Sequence, residues 1–306
     1  MTGAPHVPVL LQETLDLLQP GPGRRCVDGT FGFGGHSTAL LDAGAEVLGL
    51  DLDAVAFAAC GTLAAARPGL RCRRDSFRNL DRALIACGWP GADAVLLDLG
   101  VSSLQLDDPD KGFSYRADGP LDLRFDQEQG ETAAELLASL DERRLADLLW
   151  SLGEERGSRR IARALVAARA EAPLATTGRV REIVERVLPR GAKPQPVLSR
   201  VFQALRIAVN DELGALEEAL LKLPNLLLPG GRFVIISYHS LEDRLVKRFI
   251  DRERRDCICP ADIPVCGCGH RATLKSLTKG ALTAGEDEAV RNPRARSARL
   301  RAAQRI

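Results

Sequence analysis

The chain has 306 residues, 45% of them hydrophobic, and carries 42 basic against 41 acidic side chains. That is enough apolar material for one large domain with an insertion, or for two domains, and the near-cancellation of charge excludes a global field that draws a polyanion, so any nucleic-acid contact has to come from local patches. No apolar run approaches the roughly 18 residues of a membrane helix, and the opening MTGAPHVPVLLQE lacks a charged n-region and a long apolar core, so a soluble, cytoplasmic protein is expected.

In chain order, residues 6–11 form a short apolar approach, and 12–18 show helical spacing. Residues 25–28 read as a first strand, which runs into VDGTFGFGGHS over 27–37, with glycines at 29, 32, 34 and 35. Glycine permits positive φ and removes side chains that would hold a ligand off the backbone, so N–H groups and a helix N-terminus can face an anionic group. Two ligand classes use such a turn: dinucleotides, through a pyrophosphate, and S-adenosylmethionine (SAM), through its carboxylate. The dinucleotide fingerprint needs Gly or Ala three residues after its second glycine, but three residues after Gly34 stands Ser37. Asp28, at the strand end, would repel a pyrophosphate and attract the ammonium and sulfonium of SAM. Both details favour SAM over a nicotinamide dinucleotide.

A second strand over 47–50 ends in Asp51, whose carboxylate is placed to accept hydrogen bonds from ribose hydroxyls. An alanine-rich helix over 52–66 is stopped by Pro68 and Gly69. A third strand over 70–74 leads to Asp75, Ser76 and Phe77, a helix follows over 80–87, and 92–99 is a short apolar run bounded by turn signals. This alternation predicts a parallel sheet covered on both faces, with ligands beyond the carboxyl ends of the strands. Asp28, Asp51, Asp75 with Phe77, and Asp98 lie at those ends.

The alternation then stops. Residues 100–129 are a long loop and 132–187 read as several helices without a strand, so 103–200 is taken as a helical insertion between 1–102 and 201–306. A long amphipathic helix is expected over 201–223, a fifth strand over 232–237 and a helix over 241–251.

Several constellations carry chemistry. Asp98 could touch the SAM amino group or an incoming nucleophile, with Ser102, Ser103 and Gln105 supplying neutral hydrogen bonds. The loop DKGFSYRADGPLDLRFD, 110–126, is dense in specific polar residues. There Phe113 and Tyr115 either stack on a base or pin the loop to the core, while Lys111, Arg116 and Arg124 could meet phosphates. At the end of the fifth strand stand His239, Ser240 as a candidate N-cap, and Glu242 and Asp243, which suit the helix dipole. Eight cysteines in this setting read as thiols or metal ligands rather than disulfides, with Cys26, Cys60, Cys72 and Cys87 in apolar elements as core. Cys257, Cys259, Cys266 and Cys268 form C-x-C-x6-C-x-C, but structural zinc favours spacers of two to four residues, so no metal is assigned. The last sixteen residues carry six arginines, a candidate phosphate-binding surface.

Seven stretches in this order, HVPVLLQE, DGTFGFGGHS, LDLGVSSLQLD, GFSYRADGPLDLRFD, FQALRIAVNDEL, GGRFVIISYHSLEDRLVK and NPRARSARLR, resemble the MraW/RsmH family of ribosomal RNA methyltransferases over about residues 6–303. The resemblance implies an α/β class I SAM-dependent methyltransferase fold, Rossmann-like, with a mostly parallel seven-stranded sheet and an inserted helical domain. It also implies methylation of the exocyclic 4-amino group of a cytidine in the decoding region of 16S rRNA within the small ribosomal subunit. SAM contacts fall on Gly34, Gly35, His36, Asp51, Phe77, Asp98 and Gln105, to which the residue reading adds Asp28 and Gly32. Where the family usually has His-Pro-Ala-Thr-Arg, this chain has Pro196, Val197, Leu198, Ser199 and Arg200, so no role of that His carries over; Lys111 stands for a usual Arg and Phe125 for a usual Met.

Methyl transfer to an amine is an in-line displacement in which positioning does most of the work. An acceptor beside the amine helps as it loses its proton, with Asp98 the first candidate and His239 the second. Rival readings are a small-molecule methyltransferase and a ribosome-assembly factor that binds SAM or RNA without catalysis. The sequence does not decide between monomer and homodimer.

Overall fold

A computed structural model of the chain describes residues 8–102, 105–106, 108–260 and 265–306. Ser103, and with it His6, Val7 and Asp107 of the motifs above, lie outside the described residues. The chain divides into two compact units, one of residues 1–100 and 213–306, the other of 101–212.

The first unit is built on a seven-stranded sheet in the order β3-β2-β1-β4-β5-β7-β6. Its strands are β1 (Arg25–Asp28), β2 (Glu46–Asp51), β3 (Leu70–Arg74), β4 (Ala92–Asp98), β5 (Leu227–Ser237), β6 (Leu274–Ser276) and β7 (Arg299–Arg305). The first five run parallel, and β7 is antiparallel to both β5 and β6. Alternate side chains enter two cores, as the period of two requires. Val95, Leu97, Phe233 and Ile235 join one cluster with helices Leu80–Ala86, Glu212–Leu226 and Ser240–Glu253. Ala94, Leu96, Val234 and Ile236 join the other with helices Leu11–Leu18, Gly35–Asp42 and Ala54–Ala66. This double coverage explains why β4 and the end of β5 read as unbroken apolar runs, while the edge strand β3, LRCRR, does not. Near its start β5 bulges, Leu227 pairing with Ala92 and Arg232 with Ala94, so the Pro229, Gly230 and Gly231 turn is absorbed within the strand.

Two features of this unit were not expected. The arginine-rich end forms a strand: β7 sits inside the sheet, with Leu300, Ala302 and Ala303 buried. Arg299, Arg301 and Arg305 lie on the same face of the strand as the buried Ala303, and Arg301 donates from Nε (2.6 Å) and Arg299 from Nη1 (3.2 Å) to the Asp243 carboxylate. Burial alone would raise the Asp243 pKa, but these two guanidinium groups outweigh it and hold the carboxyl below its ordinary value. Second, Cys60 on the helix Ala54–Ala66 and Cys72 on β3 form a disulfide, because that helix lies on the strand it precedes and brings the two Cα atoms to 5.8 Å. Cys26 is a buried free thiol, as expected.

The second unit is helical, with helices Ala133–Ser139, Glu142–Gly153, Ser158–Glu171, Thr177–Arg186 and Pro194–Asn210 around one core. Thr132 and Glu135 form a capping box at its first helix. The expected single helix over 201–223 is two helices, because Asp211 adopts a left-handed φ of 46° between Asn210 and Glu212. Val197, Leu198, Val201 and Phe202 are buried in the core of the second unit, which moves its boundary from residue 200 to 212.

Candidate active site

The carboxyl ends of β1, β2 and β4 bring three carboxylates and one imidazole into a single hydrogen-bonded and ionic network. Asp28 is 1% exposed and accepts from the Thr30 N–H (3.2 Å) and the Ser37 hydroxyl (2.7 Å). Ser37, which breaks the dinucleotide fingerprint, therefore serves to hold the strand-end carboxylate. Asp51 accepts from the Gly32 N–H at Oδ2 (2.8 Å) and from the Asp53 N–H at Oδ1 (2.9 Å). The Asp98 N–H donates to Thr30 Oγ1 (2.7 Å), tying β4 to the glycine turn.

Asp98 has two neighbours at its carboxylate. Tyr238 donates its hydroxyl to Oδ1 at 2.8 Å, and His36 Nε2 stands 3.5 Å from Oδ2. Burial and the Asp98 charge push the Tyr238 phenol up, so it remains protonated and acts as a donor. Burial pushes His36 down, but Asp98, Asp28 and Glu288 outweigh it, and the imidazole ends above its ordinary value. Burial raises Asp51 to about 6 against the pull of its two N–H donors, and it raises Asp28 against His36 and Ser37. Acidic groups this close favour a cationic ligand.

The glycines divide into two kinds. A Cβ on Gly29 would fall 2.5 Å from Leu97 Cδ2, on Gly34 2.6 Å from the Phe31 ring, and on Gly35 2.6 Å from Pro8 Cγ. These three are glycine because the protein packs there. Gly32, at φ 55°, faces open space instead, with nothing nearer its missing Cβ than the Thr30 oxygen at 3.9 Å. Phe77 opens the short 3-10 helix Phe77–Asn79, and its Cβ lies beside Gly29, so the ring's position is set by the turn.

The other expected residues have settings of their own. Gln105 belongs to the second unit, where it is buried and its side-chain oxygen accepts from the Ser102 N–H at 2.9 Å. His239, not Ser240, is the N-cap of helix Ser240–Glu253. The His239 ring is turned to Glu242: Nδ1 faces the Glu242 N–H at 3.5 Å, and Nε2 lies 3.2 Å from Oε1. In the 110–126 loop, Phe113 is buried and stacks on Phe125 at 5.4 Å, while Tyr115 packs on Phe202 and shares a 2.9 Å hydrogen bond with Ser199. Lys111 is buried and Arg124 makes a two-pronged pair with Asp122. Of that loop's three aromatics and three cations, only Arg116 is exposed.

Thr30 and Tyr238 were not singled out from sequence, although one signal pointed to Tyr238. Asp98 pairs with Ile236 in the parallel β4–β5 register, so the residue two positions further on leaves the sheet at the same end.

The model of the MraW methylase family matches residues 3–306. Ribosomal RNA small subunit methyltransferase H of Anaeromyxobacter sp. (strain K) is 50% identical over 305 residues, covering 98% of each chain. The protein of that name from Heliobacterium modesticaldum is 46% identical over 308 residues, again covering 98% of each, and that from Thermomicrobium roseum is 48% identical over 306 residues, covering 98% and 94%.

The chain belongs to the MraW methylase family. It is a class I methyltransferase and its cofactor is SAM. The residues present fit that cofactor: the open face at Gly32 leaves room beside the backbone, Asp51 keeps lone pairs for ribose hydroxyls, and both nitrogens of the buried His36 ring lack a hydrogen-bond partner among the described residues. The acidic strand ends suit its ammonium and sulfonium.

Proposed function

We propose that this methyltransferase acts on the exocyclic 4-amino group of a cytidine in the decoding region of 16S rRNA, within the small ribosomal subunit and in the cytoplasm. The observation that carries the reading is half-identity, from end to end, with a protein whose name specifies small-subunit ribosomal RNA. Asp28, Gly32, Gly34, Gly35, His36, Asp51, Phe77 and Asp98 would hold SAM, which supplies the methyl group.

The chain's own part is to fix the amine and take its proton. A cytosine amine has its lone pair delocalised into the ring, so it becomes nucleophilic only as it pyramidalises and its proton is drawn away. Asp98 is the acceptor in this reading. Tyr238 occupies Oδ1 and, among the described residues, leaves Oδ2 with only the long His36 contact, so one oxygen is held still while the other is available. His239 becomes a positioning residue: with Glu242, which accepts the Tyr238 N–H at 3.0 Å, it sets the backbone from which Tyr238 projects.

The test is methyl transfer from labelled SAM to small subunits from cells lacking this protein, run beside stripped RNA and free cytidine, with the labelled nucleoside identified by mass. Label recovered as 4-methylcytidine in the subunits is the expected result. Label in another nucleoside overturns the position, and bound SAM with no transfer to any substrate favours the non-catalytic assembly factor.

A further inference from the structure

Between helix Ser240–Glu253 and β6 runs a stretch, 254–273, in which no described residue is fully buried. Its feet are tied: Thr273 donates its N–H to the Glu253 carbonyl (2.8 Å) and its hydroxyl to the Glu253 carboxylate (2.7 Å), and the Ala272 N–H donates to Asp256 (3.3 Å). Among its described residues the larger apolar side chains point outward, Ile258 being 36% and Val265 77% exposed. A connection this long whose described residues form no core needs another source of order.

Four cysteines supply one. The sulfurs of Cys257, Cys259, Cys266 and Cys268 all lie within 4.8 Å of one another. Cys268 Sγ is 3.5 Å from Cys266 Sγ and 3.9 Å from Cys257 Sγ. Four thiolates at about 2.3 Å from one zinc ion form a tetrahedron with edges of about 3.8 Å, and the observed separations bracket that edge. The backbone joins in, since the Ile258 N–H points at Cys268 Sγ at 3.5 Å, an interaction that favours a sulfur carrying negative charge. All four are free, while elsewhere in the same molecule Cys60 and Cys72 are bonded. The single-residue spacers that argued against a metal do not separate the sulfurs, because the chain folds back and each pair faces the other.

We propose that these four cysteines hold one structural zinc ion as a closed tetrathiolate, which staples the 254–273 stretch to the end of its helix. A site with four protein ligands keeps no open position and takes no part in methyl transfer. Because such a stretch has no other core, its order depends on the metal.

The experiment is metal analysis of the full chain, purified without chelators or a metal-affinity step, by inductively coupled plasma mass spectrometry, beside the Cys266→Ser/Cys268→Ser double variant and Cys87→Ser as a control. One zinc per chain in the parent and in Cys87→Ser, absent from the double variant, is expected. Displacing the metal with an organomercurial should release that zinc to a colorimetric chelator and open Arg254, Arg255 and Arg271 to trypsin. The parent alone decides should the double variant not fold. A parent chain with no stoichiometric metal, with iron in place of zinc, or with these cysteines joined in disulfides by peptide mapping overturns the proposal.

Discussion

Replacing Tyr238 with Phe removes a single hydroxyl, the one 2.8 Å from Asp98 Oδ1, and leaves the ring in place. A hydrogen bond to a charged group contributes about 1.5–3 kcal/mol when nothing replaces it. The Asp98 side chain is 19% exposed, so water can stand in for part of the missing hydroxyl. The lower half of that range applies, about 1.5–2.25 kcal/mol, which corresponds to a roughly 13-fold to 45-fold fall in the methyl-transfer rate. The loss should fall on the chemical step, because Tyr238 steadies the acceptor rather than the cofactor. The assay is a single-turnover measurement with labelled SAM and deficient small subunits, beside calorimetric SAM binding and a melting curve. An unchanged rate in Tyr238→Phe, or a rate loss matched by an equal loss of SAM affinity, would refute the role given to the Asp98–Tyr238 pair.

Asp51, at about pKa 6, must be ionised to accept fully from ribose hydroxyls, so SAM affinity should fall as pH drops through 6, by about tenfold at pH 5; titration calorimetry on the parent and a weaker but pH-flat Asp51→Asn checks this. Gly32→Ala, strained only by its left-handed φ of 55° because its methyl enters open space, should lose about 1 kcal/mol of stability and also SAM affinity, whereas Gly34→Ala, at φ 74° and 2.6 Å from the Phe31 ring, should lose stability by about 2 kcal/mol or more; urea melts and SAM titrations of the pair separate the two. Arg301→Ala strips the closer partner from Asp243, whose side chain is 8% exposed, and should cost about 3 kcal/mol, while the 54% exposed Arg299 should cost under about 1 kcal/mol in the same urea melts. Arg159→Glu/Arg160→Glu should leave stability unchanged, since both are exposed and neither guanidinium has an ion pair or hydrogen bond among the described residues. If the second unit meets RNA there, small-subunit affinity falls and the slope of log affinity against log salt flattens by about 0.7–0.9 for each phosphate that is no longer neutralised.

Among the parallel strands, β1, β2 and β4 were legible as short buried runs ending in an Asp, β5 as an apolar run after a Pro-Gly-Gly turn, and β3, LRCRR, only from the Pro68 and Gly69 turn before it. The strands β6 and β7 were not. β6 is three residues long, and β7 reads RLRAAQR, with arginine at three of the four positions on the face that also carries the buried Ala303. The partner that makes those arginines structural, Asp243, lies more than fifty residues earlier, and composition carries no trace of it. The same limit separates what was found at the site from what was missed. Asp28, Asp51 and Asp98 follow from strand ends alone, but the choice between Tyr238 and His239 turns on which of two adjacent side chains points along β5 and which caps the next helix. Glu242 decides it by taking the N–H groups of both residues, at 3.0 and 3.4 Å, and that is a tertiary fact.

The charge balance of the chain acquires a sharper meaning once these pairings are known. With Lys111 buried, Arg124 on Asp122, and Arg299 and Arg301 on Asp243, the segments richest in cations and aromatics are committed to holding the protein together. Contact with a polyanion must then rest on cations without such partners. In the second unit those include Arg116 and the run Arg156, Arg159 and Arg160, all exposed. Sequence density of arginine is therefore a poor guide to where RNA would lie on this protein. The better guide is the difference between arginines whose charge a buried carboxylate already answers and those whose charge only solvent meets, because only the second kind can exchange its counterions for phosphate without leaving a buried acid unpaired.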